Sequence, residues 1–303
     1  MLLRVAKGTR QPYPDPQRAE SLQMSRQTDE DHAAWIGRPF TRTDTLSPRL
    51  IAQFRAVLDD GLAPAEVPLG IFWALCQDMC APNDLGRDGH PRPGLVLPRL
   101  PLPRRMWAGG ELVFTGLFQA DDLVTRDSRV EAITFKTGST GPLGFVSVRH
   151  DYGAWGVGIL SERQDLVYRE DPVASARRPA LPVADDLGPA LVSHHVRPDT
   201  VMLFRYSALT FNGHRIHYDR AYATDVEGHD DLVVHGPLQA TWMLNLATRA
   251  MGKCPSRFTY RGVSTPTCGQ DMTVEAHPAP QGAIALRVRR DGGPATMTGM
   301  AYP

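Results

Sequence analysis

The sequence predicts an α+β protein built from two successive units, each with helices followed by an antiparallel meander of strands. Three observations carry this. Helical periodicity with cap residues opens each half, and runs of period-two alternation bounded by turn residues come after it. A Pro- and Ala-rich stretch without periodicity, residues 171–187, separates the two and reads as a linker. The repeat is one of architecture, with no convincing residue-by-residue identity between the halves.

Residues 1–34 read as a polar tail ahead of the fold, and the first unit spans 35–170. In SPRLIAQFRAVLDDG, Ser47 is placed to cap a helix, Pro48 takes its first position and Gly61 ends it, with Leu50, Phe54 and Leu58 on one face. A second apolar stretch, Leu69 to Cys80, predicts another helix. Residues 83–103 are too rich in proline and glycine for regular structure and predict a long loop. The segments GELVFTGLF, VEAITFKTG, GPLGFVSVRHDY and WGVGILSERQDLVYRE then read as strands. The second unit, 188–303, repeats the order: a strand-like ALVSHHV, a helix from Asp199 to Leu209, another from Pro237 to about Ala250, and strands over CPSRFTYRGV, DMTVEAH and GAIALRVRR.

Composition narrows the function class. With 22% charged and 42% apolar residues the chain is globular, and 303 residues suffice for two full cores. Lys plus Arg and Asp plus Glu balance at 33 each, which argues against a broad nucleic-acid or membrane surface. No apolar run approaches the roughly 18–20 residues that span a bilayer. The opening MLLRVAKGTRQPYPDPQ lacks the apolar core of a secretory signal, and Cys76, Cys80, Cys254 and Cys268 do not make a disulfide framework, so a cytoplasmic location is expected. Cys76 and Cys80, four apart in an apolar stretch, read as packing residues.

Six of the ten histidines fall between His194 and His235, and two segments there carry chemistry. In LVVHGPLQATWMLNLA, Gly236 and Pro237 open a helix whose Leu238, Trp242, Met243 and Leu246 recur at helical spacing, so it is buried. Pro237 cannot donate, which leaves the N–H groups of Gly236 and Leu238, at the positive end of the helix, able to hold a developing oxyanion. Taken alone, the segment reads first as a capped core helix. In LTFNGHRIHYDRAYA, Asn212, His214 and His217 sit on a polar break between apolar patches, and histidine can take up and return a proton near neutral pH. Asp219 is read as the N-cap of a short helix. A metal held by His214, His217 and His235 is weakly signalled without a carboxylate or cysteine pair, so no metal is expected.

Together these segments resemble the MaoC-like hydratase/dehydratase family, whose fold is the hotdog, an antiparallel sheet wrapped around a long central helix. The family's Asp-x-Asn-Pro-aliphatic-His motif falls on Asn212-Gly-His214-Arg-Ile216-His217, with Ala223 on its small residue. Its Val-His-Gly helix start falls on Val234-His235-Gly236, eighteen residues past His217. The family's catalytic aspartate falls on Asn212, which cannot act as a base, and its asparagine on His214. FNGHRIHYD, with PRRMWAGGELVF upstream, is similar to the double-hotdog subfamily of mesaconyl-C4-CoA and itaconyl-CoA hydratases and mitochondrial-type hydroxyacyl-thioester dehydratases.

The resemblance implies a double hotdog whose first unit binds and whose second catalyses, with Leu69–Cys80 and Pro237–Ala250 as the central helices. It implies hydration of an acyl-CoA, with Gly236 holding the carbonyl, His217 as acid/base, Asn212 orienting the water and His214 tuning His217. Arg215, Arg104 and Arg105 are candidates for CoA phosphates or a substrate carboxylate, with Arg215 preferred, and Trp107 and Leu238 are expected to contact substrate. No cofactor is expected beyond the CoA of the substrate, and a homodimer is compatible with the pattern. A hotdog thioesterase and a non-catalytic acyl-CoA-binding protein stay open as alternatives.

Overall fold

The computed structural model describes residues 32–58, 61–138, 141–171 and 187–303, so the expected tail and linker lie almost wholly outside the described residues. Ten strands are described: β1 (Pro39–Thr45), β2 (Arg104–Phe114), β3 (Leu123–Gly138), β4 (Gly141–Ala154), β5 (Val157–Arg169), β6 (Val192–Val196), β7 (Arg257–Gly262), β8 (Met272–Pro278), β9 (Ile284–Arg290) and β10 (Ala295–Tyr302). They form one sheet in the order β1-β3-β4-β5-β2-β7-β10-β9-β8-β6. Strands of each half stay together, and the halves join where β2 pairs antiparallel with β7, Gly109 opposite Arg261 through Val113 opposite Arg257. β1 and β10 are strands that the sequence pattern did not mark, and β2 begins at Arg104 rather than at Gly110.

Among the described residues three α-helices accompany the sheet: α1 (Pro48–Leu58), α2 (Thr200–Leu209) and α3 (Gly236–Met251). α1 starts as its sequence demands, with the Leu50 N–H donating to Ser47 Oγ at 3.2 Å. α3 lies across β6 to β10, which makes the second half a hotdog. Every residue from Leu238 to Ala247 is buried, polar ones included. Those polar groups are matched: Thr296 Oγ1 donates to Gln239 Oε1 at 2.7 Å, and Thr241 Oγ1 bonds back to the Pro237 carbonyl at 2.8 Å.

The helix expected over Leu69–Cys80 does not form. A 3₁₀ turn, Ile71–Ala74, stands in its place, between Gly70 at φ 91° and Cys76 at φ 55°. The reason lies in the run itself. Ile71 to Cys76 are all buried, so the segment has no polar stripe to fix a helical face, and a short apolar run is ambiguous by periodicity. It covers the outer side of α3: Asn245 donates to the Leu69 carbonyl at 2.9 Å and accepts the Ala63 N–H at 3.0 Å. Phe72 and Trp73 then pack against the rings of Phe114, Tyr152, Trp107 and Tyr260 on the sheet. Cys76 is a packing residue, as expected, but it and Cys80 do not share a helix.

Candidate active site

α2 delivers the chain into the site. Asp199 caps it through Met202 N at 2.7 Å, and beyond Thr210 the backbone turns left-handed at Phe211, φ 48°. The Asn212 carboxamide oxygen then accepts the His214 N–H at 3.0 Å, an Asx turn that launches the 3₁₀ turn Arg215–His217. This is the polar break the sequence indicated. Asp219 caps the next turn, accepting the Tyr222 N–H at 3.1 Å, although Tyr222–Val226 is a π turn rather than a short α-helix.

His217 is buried, and its Nδ1 lies 2.8 Å from the Val233 carbonyl oxygen. A carbonyl only accepts, so Nδ1 carries the proton and Nε2 carries the lone pair. The His235 ring stacks on it at 3.6 Å and 18°, with His235 Nε2 2.8 Å from Ser207 Oγ. Ring nitrogens project in the ring plane, so stacked His217 and His235 cannot converge on one ion. The His214 ring stands edge-on to His217 at 5.4 Å. Burial pushes the His217 imidazole down to about 3 and holds His214 and His235 well below the usual range, with the neighbouring histidines adding to it. All three are neutral at physiological pH, so His217 offers an unprotonated acceptor.

α3 begins beside these rings. Its first-turn N–H groups have no partner within the helix, and they carry its positive end. Gly236 is required by a close approach: a Cβ there would lie 2.4 Å from Trp107 Cε3. Trp107 is itself stacked on Tyr260 at 4.4 Å and 14°, so it cannot easily move aside. A cavity of about 2010 Å³ opens here, lined by His90, Trp107, Asn212, His214, His217 and Gly236 among others, and both halves contribute to it. Leu238 is not part of that lining; its side chain is fully buried in the core.

The three arginines divide. Arg104 is buried against Glu227, its Nε 2.5 Å from Oε2 and a second nitrogen 3.1 Å from the backbone carbonyl, so it ties β2 to the loop before α3. Arg215 grips Asp219 at 3.0 and 2.7 Å, lies 4.3 Å over the Tyr222 ring and donates to the Arg87 carbonyl at 3.1 Å. Its alternation along the turn carries it away from the cavity, which removes the preferred partner for a substrate carboxylate. Arg105 lines the cavity next to Tyr168, Asp88 and His90, and forms no ion pair among the described residues.

The sequence pattern gave no direct sign of Asp88 and His90, which sit in the long 83–103 loop. Asp88 Oδ2 is 2.9 Å from His90 Nδ1, and the His90 ring lies 4.3 Å from that of His214. Their usable signal was the loop: a stretch that long without regular structure in a compact domain is usually functional.

The family model described as hydroxyacyl-thioester dehydratase type 2 matches residues 70–268. The chain is 37% identical over 237 residues to a mesaconyl-C(4)-CoA hydratase of Chloroflexus aurantiacus, covering 76% of this chain and 83% of that one. It is 29% identical over 215 residues to a mitochondrial hydroxyacyl-thioester dehydratase type 2 of Schizosaccharomyces pombe, covering 63% and 71%. Among solved structures, a MaoC-like dehydratase superposes with a TM-score of 0.65 at 15% identity, covering 89% of this chain and 98% of its own. A Mycobacterium tuberculosis protein described as a double hotdog gives 0.52 at 15% identity, over 88% and 95%. These two speak for the fold alone.

Proposed function

The chain belongs to the hydroxyacyl-thioester dehydratase type 2 family of MaoC-like proteins, and on that basis we propose that it is a hydro-lyase adding water to, or removing it from, an α,β-unsaturated acyl-CoA. The observation that carries the reading is the pairing of a neutral, buried His217, with its Nε2 lone pair free, and the open N-terminus of α3 beside it. In hydration the thioester carbonyl sits at the Gly236 N–H. Water attacks Cβ as His217 Nε2 takes one of its protons, and the π electrons move onto Cα and the carbonyl oxygen. The developing enolate is held by the helix end, where fixed N–H donors in a dry site are most effective. The imidazolium forms next to that negative charge and returns its proton to Cα. Asn212, whose carboxamide oxygen is engaged by His214 N, keeps its NH₂ for the water.

Mixing the protein with crotonyl-CoA tests this. Loss of the enoyl-thioester absorbance without release of free thiol is expected. Thiol release would mean a thioesterase, and no change with retained binding a non-catalytic acyl-CoA-binding protein.

For the acyl group we propose a branched C5 dicarboxylic thioester, mesaconyl-C4-CoA or itaconyl-CoA hydrated to citramalyl-CoA, in keeping with the substrate named for the Chloroflexus relative. A buried free carboxylate needs a cation, and Arg105 is placed for it. Higher kcat/KM on mesaconyl-C4-CoA than on crotonyl-CoA, erased by Arg105→Met, is the expected pattern. Equal use of both thioesters by the wild type would sink it. We place the protein in the cytoplasm on its unpaired cysteines and balanced charge. Among the described residues no helix is long and apolar enough to cross a membrane.

A further inference from the structure

We propose that Asp88 and His90, carried by the first half, complete the hydration centre: His90 holds the attacking water, and Asp88 is the positioning residue that acts through it. This rests on the hydratase reading above and extends it to two residues that the family motif does not contain.

The starting point is a missing charge. The motif's carboxylate position is Asn212, and two carboxylates of the same region are committed elsewhere, Asp219 to Arg215 and Glu227 to Arg104. Asp88 lies against the histidines instead. A carboxylate oxygen of Asp88 and one ring nitrogen each of His90 and His214 all fall within 4.8 Å of one another.

The loop bearing Asp88 is fastened to the loop bearing His217. A Cβ on Gly89 would fall 1.9 Å from the Gly213 carbonyl oxygen, and one on Gly213 would fall 2.6 Å from the Gly89 carbonyl oxygen. The two backbones therefore touch, and Gly89, at φ 87°, adopts a conformation that side chains resist. Arg215 N donates to the Asp88 carbonyl at 2.8 Å, and the Arg215 guanidinium to the Arg87 carbonyl at 3.1 Å. Arg215 thus acts as a clasp between the halves.

Protonation is set by the contacts. Asp88 Oδ1 accepts the His90 N–H at 3.1 Å, and Oδ2 meets His90 Nδ1 at 2.9 Å. Burial works against its charge, but the His90 hydrogen bonds and the Arg105 charge outweigh it and hold Asp88 down to about 2. Burial and Arg105 push His90 down to about 4. An ionised carboxylate only accepts, so His90 Nδ1 carries the proton and Nε2 becomes an obligate acceptor. A His90 and a His214 nitrogen under 4.8 Å apart can share a single water, since each hydrogen bond takes about 2.7–3.2 Å, and the His214 ring lies 5.4 Å from that of His217 on the wall of the same cavity. Such a water gives one hydrogen to His217 Nε2 during attack on Cβ. The other stays on oxygen, held by His90, and ends as the product hydroxyl. His217 then gives its proton to Cα, so the elements of water are added and nothing is oxidised.

Full-length variants assayed on crotonyl-CoA and mesaconyl-C4-CoA test this. His90→Ala should lower kcat by about 10²-fold with KM nearly unchanged, the cost of a misplaced reactant. Asp88→Asn should lower it by roughly tenfold, because an amide can donate to Nδ1 and release the wrong tautomer. Asp88→Glu and His90→Gln, which keep a carboxylate and an acceptor, should each recover part of the loss. The pH profile of Asp88→Asn should shift while its thermal midpoint stays close to wild type; the groups facing His90 are Asp88, Arg105 and His214, with His217 and His229 beyond. Wild-type kcat in folded His90→Ala and Asp88→Asn overturns the proposal. So does a His90→Gln variant no faster than His90→Ala with both equally destabilised, which would mean a structural role. Activity lost to a chelator and restored by a divalent ion also overturns it, since the three groups would then be ligands. A wild type that hydrates no enoyl thioester overturns the hydratase reading itself, and this proposal with it.

Discussion

The two halves share one sheet but fill it differently. The second wraps five strands around α3, a continuous helix whose open end faces the cavity. The first presents five strands, four of them longer than any in the second, and, in place of a central helix, the four-residue turn Ile71–Ala74. A single turn presents no helix dipole and no row of free N–H groups, so it cannot serve an oxyanion. It can fill space, and it does, with Phe72 and Trp73 against the sheet and the preceding chain over α3. The first half still reaches the chemistry, through Trp107 against Gly236 and through the 83–103 loop. In the proposed mechanism His217 and the helix end come from the second half, while Trp107, Asp88 and His90 come from the first.

The largest effect that would sharpen this contrast is His217→Ala. It should lower kcat by at least ~10²-fold, the low end for general acid–base catalysis, with the fold intact. A correctly folded mutant with near wild-type turnover removes His217 from the mechanism. Acid should strike hardest at the histidine cluster where the two halves meet. His90 and His217 are held at about 4 and about 3 in the fold, below the ordinary 6.5, and His214 and His235 are lowered as well. The unfolded chain thus binds more protons than the native one as pH drops below about 6.5, so stability present at neutral pH is lost progressively toward pH 3. His150, on β4 of the first half, obeys the same rule outside that cluster. Thermal midpoints that stay flat from pH 7 to 4 would contradict this burial.

Gly236→Ala comes next. The new methyl would meet Trp107, and strain of this kind costs about 1–3 kcal/mol. Activity should fall more than stability, because the displaced group is the proposed carbonyl holder, and Trp107→Ala in the same chain should relieve part of the strain. Asn245→Ala tests the cover over α3: it leaves the Ala63 N–H and the Leu69 carbonyl unpaired, at about 1–3 kcal/mol each. Denaturant titration should show that loss with kcat preserved. Arg215→Met is expected to change least on the choice between dicarboxylic and simple thioesters, since Arg215 is committed to Asp219. A selective loss of mesaconyl-C4-CoA turnover would return Arg215 to the site.

The sequence by itself determined whatever is local or periodic. The Ser47 and Asp199 caps, the buried helix after Gly236-Pro237, the alternating strands and the Asn212–His217 turn are all set by neighbours a few residues apart. Only the tertiary structure decided what depends on distant partners. Leu69–Cys80 looks helical until α3 and the sheet bury its first part, Leu69–Cys76, on every side. Arg104 looks available until Glu227 takes it, and Arg215, already paired with nearby Asp219, is drawn to the Arg87 carbonyl of the other half, while Leu238 supplies the core rather than the cavity. Asp88 and His90 are two polar residues in a proline-rich loop until the Gly89–Gly213 contact sets them against His214. Sequence spacing encodes which way a side chain leaves its own backbone, but an ion pair or a shared cavity is settled by residues a hundred or more positions away.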